Sequence, residues 1–149
     1  VAAIEAIGFR AADNHECLIA TGDLAAVQCY KALEMPEAIT LSIMNEGYPV
    51  GMFGIAPFSE VGVPPGAGVL WLLGSEGIKE IKVDFLWQCR DWVNWLQTHY
   101  PFGFNFVHTK NTAALKWCEF VGFQFEGEFM YGHDPENQEL FVKAIRVPD

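Results

Sequence analysis

A chain of 149 residues with 51% hydrophobic and 19% charged side chains is long enough for one sizeable core and too apolar for disorder. Asp and Glu outnumber Lys and Arg by 19 to 9, a formal charge of −10, so the surface repels phosphate backbones and direct nucleic-acid binding is not expected. No apolar run approaches the ~20 residues that span a bilayer, and no basic-then-apolar signal peptide opens the chain, so no membrane association is expected either.

The sequence starts at Val1, already inside a helical pattern, which leads us to expect further residues ahead of it. Residues 1–20 space Ile4, Ile7, Leu18 and Ile19 for one helix face, and Gly22 interrupts. Residues 24–35 form a second helix with Leu24, Val27, Cys29 or Tyr30, and Leu33, stopped by Pro36. Residues 38–46 alternate as a half-buried strand, turn at Glu46-Gly47, and return over 49–58 as a hairpin. Residues 61–68 are a Pro- and Gly-rich loop, and 69–73 an unbroken apolar run suited to a central strand. Residues 78–99 form the longest helix, with Phe85, Leu86, Cys89, Trp92, Val93 and Leu96 as its apolar stripe. Trp87 and Trp95 lie beside that stripe, where they either widen the core-facing side or form a partner surface.

Pro101 ends the helix, and a short strand over 104–108 leads to a helix with clear boundary signals. Asn111 can cap it, and Gly122 suits the left-handed stop that precedes Phe123. Strands over 123–130 and 139–147, joined by an acidic loop, complete the chain. No repeat, linker or low-complexity tract divides it, so residues 1–149 read as one domain. The strand–helix–strand passage over 69–108 demands a parallel crossover, and the hairpins demand antiparallel pairing. The class is mixed α/β with a central parallel pair. Cys17, Cys29, Cys89 and Cys118 fall singly inside helices without metal-ligand spacing, as free thiols.

The segment from Asn111 through Ala114, Leu115, Trp117 and Cys118 to Gly122-Phe123 resembles the GCN5-related N-acetyltransferase (GNAT) superfamily, and the element order is similar over nearly the whole chain, with the family's first strand falling ahead of Val1. The resemblance implies an acyl-CoA N-acyltransferase fold: a mixed sheet with helices on both faces and a splayed central pair of strands, here 69–73 and 104–108. Acetyl-CoA would lie between them, with its pyrophosphate at the start of the next helix, where free amides and the helix dipole attract an anion. The positions that would hold it are Leu72, Leu73, Gly74, Ser75, Gly77 and Asn111. The family's leading Gln or Arg and spaced glycines are replaced at this turn by Gly74-Ser75-Glu76-Gly77, a degenerate form, with Glu76 and Glu80 opposed by Lys79 and Lys82. A backbone amide on 69–73 would polarise the thioester carbonyl. Seven residues after the helix Asn, where the family often has a Tyr acid, stands Cys118. His108 is the candidate base, imidazole being the side chain that titrates near neutrality, with Glu46 and Glu60 as alternatives. No metal is expected, because His15-Glu16-Cys17 is too compact to share a helix face.

Gly51-Met52-Phe53-Gly54-Ile55-Ala56-Pro57, then Leu70-Trp71-Leu72-Leu73-Gly74-Ser75, together with the Asn111 helix, resemble a bacteriophage branch of GNAT-like proteins similar to internal virion protein A of short-tailed phages. That narrower resemblance implies a phage or prophage origin and a place in the host cytoplasm or the virion. Two functions follow: an N-acetyltransferase whose partners are acyl-CoA and an amine, or a non-catalytic virion-associated assembly protein whose partners are phage structural proteins or a second copy in a homodimer.

Overall fold

The alternation over residues 38–58 forms strands β1 (Ile39–Asn45) and β2 (Tyr48–Pro57) in a computed structural model that describes all residues from Val1 to Asp149. The turn between them takes positive φ at Glu46 and Gly47. Gly54 on β2 meets β1 so closely that a Cβ there would overlap the Ile39 carbonyl oxygen. Strands β3 (Ala67–Gly74), β4 (Phe102–His108), β5 (Gln124–Tyr131) and β6 (Glu139–Arg146) complete one sheet in the order β1-β2-β3-β4-β6-β5. Every neighbour is antiparallel except β3 and β4, the crossover the sequence demands.

Helices cover both faces. On one, α1 (Ala2–Ala6), α2 (Ala11–Thr21) and α3 (Ala25–Glu34) bury Ile4, Ile7, Cys17, Ala25 and Cys29 against Met52 and Leu73. On the other, α4 (Lys82–Leu96) and α5 (Thr112–Val121) bury Cys89, Val93, Leu96, Trp117, Cys118 and Val121 against Phe53, Ile55, Leu70, Val107, Val142 and Ala144. All four cysteines are buried and free. No helix is long and apolar enough to cross a membrane. This is the mixed sheet with helices on both faces that the resemblance implies.

Three sequence expectations need correction. The helix expected over residues 1–20 is two helices, because the intervening backbone goes extended and bridges Phe9 to Ser75 on the sheet. On α3 the buried residues are Ala25 and Cys29, while Leu24, Val27 and Leu33 stay largely exposed; small residues let the helix lie close to the sheet, and the bulky ones turn outward. The long helix begins as a 3-10 turn (Glu76–Ile81), and its buried positions Cys89, Val93 and Leu96 form a narrow i, i+4, i+7 seam. Trp92, one residue and about 100° around from Val93, is 46% exposed, and Trp87 and Trp95 are 78% and 44% exposed, so none of the three belongs to the core. Trp92 lines a cleft of about 390 Å³ between β1 and α4.

Candidate functional site

The parallel ladder between β3 and β4 is short. It pairs Ala67 with Phe102, Gly68 with Gly103 and Val69 with Phe104, and then stops, although β3 runs on to Gly74 and β4 to His108. The strands part into a wedge. Because peptide groups alternate along a strand, it can be read which ones face the gap. Ser75 bonds across to Val50 of β2, so Gly74 and Leu72 point the other way, into the wedge. Thr109 bonds to Leu140 beside β6, so Phe106 and His108 face the wedge from the opposite side. Phe106 N–H is satisfied by the Asn105 side chain at 2.8 Å.

The open end is clasped by α2. Asp13, 1% exposed, accepts from Gly74 N–H of β3 at 2.9 Å, and Gly74 carbonyl accepts from Arg10 N–H at 2.8 Å. Glu16, one helical turn further on, accepts from His108 N–H of β4 at 3.2 Å. Asn111 joins the two carboxylates: its amide donates to Asp13 at 3.0 Å and Glu16 at 2.8 Å, while its oxygen caps α5 by accepting from Ala114 N–H at 3.3 Å. Arg10 neutralises Asp13 through two guanidinium bonds of 3.0 and 2.8 Å. Glu16 has no such cation, and burial raises its carboxyl from 4.5 to about 7, with the Asn111 and His108 bonds only partly offsetting this.

That shift links stability to pH. Between 4.5 and about 7 the folded chain holds a proton on Glu16 that the unfolded chain has released, so stability falls as pH rises through this window. At about 1.4 kcal/mol per pH unit, denaturant unfolding of the wild type against Glu16→Gln is expected to show a relative loss of about 3 kcal/mol across the window. Parallel curves for the two proteins would contradict it.

Beside the clasp, His15 from α2 and His108 from β4 converge on Glu139 of β6: His108 Nε2 lies 2.7 Å and His15 Nε2 3.0 Å from one carboxylate oxygen, and the rings meet edge to face. The three ligand atoms lie within 4.8 Å of one another, the spacing of a metal triad. The proton arrangement does not suit a metal. Lys110 N–H donates to His108 Nδ1 at 3.2 Å, which puts the imidazole proton on Nε2 and aims it at Glu139. A metal-bound histidine needs its other nitrogen to carry the hydrogen. The cluster instead holds Glu139 ionised, its carboxyl lowered by the His15 bond first and the His108 bond second.

The structure brings His108 and Asn111 together at the wedge, and Leu72 and Gly74 border it. Both ring nitrogens of His108 are engaged, so it has no free lone pair for an incoming proton. Leu73 points its side chain into the core under α1 and α3. Cys118 lies on the α5 face, 1% exposed, with its thiol pushed up to about 12 by burial first and the negative charge of Glu16 second. Ser75 accepts from Gly77 N–H at 3.1 Å, and Ile78 packs where a Cβ on Gly74 would stand, so the amides expected to cradle a phosphate are partly used within the turn. Glu46 sits in the β1–β2 turn and Glu60 is exposed in the following loop, both outside the clasp. Asp13, Glu16 and Glu139 were missed by sequence reasoning. The available signal was two acids three apart on a helix, which lie on one face and could share a partner.

No protein-family model and no curated protein matches the sequence. In three dimensions the chain is similar to solved acetyltransferases. An acetyltransferase of the GNAT family from Streptococcus pneumoniae superposes with a TM-score of 0.58 at 18% identity, covering 95% of this chain and 84% of that one. The ribosomal-protein-S18-alanine N-acetyltransferase of Escherichia coli gives 0.59 at 12%, covering 93% and 86%. The ribosomal-protein-alanine N-acetyltransferase of Brucella melitensis gives 0.57 at 14%, covering 83% and 79%. Sheet order, splay and flanking helices together make this the GNAT acyl-CoA N-acyltransferase fold.

Proposed function

We propose that the protein transfers an acyl group from an acyl-CoA thioester to an amine at the β3–β4 wedge. The observation that carries this is the early end of the ladder at Val69 and Phe104, which leaves the Leu72 peptide facing a gap between two strands. An acyl-CoA arm lying there would present its thioester carbonyl to that fixed N–H, and a donor held in place before reaction stabilises the developing oxyanion without reorganising. Gly74, Ser75 and Gly77 would lie nearest the pyrophosphate and Asn111 at the far wall. Cys118 remains a neutral thiol beneath the gap in this scheme. Held at about 12, it gives a proton to a leaving thiolate only uphill, so solvent supplies that proton.

A second reading has its own support. The Gly74 N–H and carbonyl, which an extended ligand would use, already bond to Asp13 and Arg10, and the amide of Gly77 is taken by Ser75. A chain that fills its own cleft suits the non-catalytic role in a phage particle, with structural proteins as partners. A thermal-shift titration separates the two. Acetyl-CoA at about 100 times its Kd is expected to stabilise by about 2.7 kcal/mol, which raises Tm by about 5–10 °C. No shift at millimolar acetyl-CoA, with the protein retained on assembled capsid or tail material, selects the assembly role.

A further inference from the structure

We propose that Glu16, on α2, is the catalytic base that takes the proton from the attacking amine. The inference rests on the acyl-transfer reading and names the group that reading lacks, since both nitrogens of His108 are engaged.

The geometry is specific to one atom. Glu16 Oε2 is fixed by two donors, His108 N–H and the Asn111 amide. Oε1 makes no hydrogen bond, and it is not among the side-chain atoms sealed from solvent without a partner, of which Thr40 Oγ1 is the sole case. The carboxyl is therefore anchored through one oxygen to His108 N–H, which faces the wedge, and its other oxygen is left without a hydrogen bond. A proton arriving on Oε1 leaves both Oε2 bonds intact, so protonation requires no rearrangement of the clasp. The charged and titratable groups around it are Asp13, Arg10 and Cys17 on its own helix, Cys118 from α5, and His108 with Glu139 from the strands. Asp13 opposes its ionisation and Arg10 favours it, while burial outweighs both and places its titration near neutrality, where a base is most effective.

The amine nitrogen attacks the thioester carbonyl carbon and a C–N bond forms. The N–H proton passes to Glu16 Oε1. The C–S bond then breaks with its electron pair on sulfur, and the thiolate is protonated from solvent. Glu16 releases its proton to water before the next turnover.

The test is free-thiol release from acetyl-CoA with lysine, spermidine and phenethylamine as acceptors, for the wild type and Glu16→Gln, from pH 5.5 to 9.5. Glutamine keeps an oxygen for both Oε2 donors, so the variant is expected to fold and to bind acetyl-CoA with an unchanged thermal shift. The wild-type kcat/KM is expected to rise through about pH 7. In the variant it falls about 100-fold and its rise moves up to the pKa of the amine itself. A variant with wild-type rate and pH profile overturns the assignment of Glu16 while leaving acyl transfer standing. A wild type that releases no thiol with any acceptor and shows no thermal shift overturns acyl transfer, and the role of Glu16 with it.

Discussion

Asp13→Ala is expected to lower the unfolding free energy by about 4 kcal/mol, read from urea denaturation at pH 7. Asp13 is 1% exposed and its two oxygens serve three elements: the Arg10 guanidinium, the Gly74 amide at the end of β3 and the Asn111 side chain at the start of α5. Truncation leaves Arg10, only 12% exposed, without its counter-charge, and it leaves two amide donors facing a void. A buried charge stripped of its partner costs about 3–5 kcal/mol, and each unsatisfied amide about 1–3 kcal/mol before relaxation. Asp13→Asn separates the contributions. It keeps one acceptor oxygen but loses the charge, and about half the loss is expected. The wedge gives the effect a second readout: amide hydrogen exchange at Gly74 should accelerate in the alanine variant more than at Val69, which remains in the ladder. A loss under 1 kcal/mol would mean that the splay is held open by strand twist and packing rather than by this clasp.

The fold was legible where the chain carries local signals. Asn111 and Gly122 bracket α5 as their chemistry predicts: Asn111 caps the helix, and Gly122 takes φ 97° at its stop. The alternation over 38–46 and the apolar run at 69–73 gave strands of the right type in the right order. The wedge itself followed only from the resemblance, because nothing local in 69–74 says that Leu72 loses a strand neighbour which Val69 keeps. The clasp was illegible for a stronger reason. Asp13 meets Gly74 and Asn111 across 61 and 98 positions of chain, and a pattern with a period of a few residues carries no information at that range. His15-Glu16-Cys17 shows the same limit. Local spacing rightly kept the three from sharing one helix face, and it could not foresee that His15 would meet His108 and Glu139 from the strands. The tryptophans of α4 misled in the opposite direction. Hydrophobicity placed Trp92 in the stripe, whereas the helix meets its sheet through buried Cys89, Val93 and Leu96, with Phe85 and Leu86 packed beside them.

Arg146→Met is expected to cost about 4 kcal/mol although Arg146 takes no part in the clasp. Arg146 ends β6 and is 1% exposed, and its guanidinium collects acceptors from α5, from the end of α4 and from Asp149. Nε donates to the Val121 carbonyl in the last turn of α5 at 2.7 Å, where the negative end of the helix dipole adds to the attraction. Nη1 donates to Asn94 at 2.9 Å and Gln97 at 2.6 Å near the end of α4, and Nη2 reaches Asp149 at 3.3 Å. Gln97 returns a bond of 2.8 Å to the Arg146 carbonyl, so helix and strand are tied in both directions. Burial lowers the pKa of Arg146, yet a guanidinium stays charged, and its cost of desolvation is met only while this full set of oxygens surrounds it. Methionine fills much of the volume but leaves the Val121 carbonyl and the Gln97 oxygen without this donor, at about 1–3 kcal/mol each before relaxation, while the Asn94 oxygen keeps only the Asp149 N–H. Arg146→Lys keeps the charge without the fork and should lose roughly half as much, because one ammonium cannot reach acceptors arranged around a planar group. Asp149→Asn should lose little, since Asp149 is 45% exposed and solvent screens its pair with Arg146. Chemical denaturation of the three variants is expected to rank them Met, Lys, Asn from most to least damaged. If Asp149→Asn matched the methionine variant, the site would be an ion pair rather than a hub of neutral acceptors, and α4 and α5 would owe their common anchorage to the C-terminus instead of to β6.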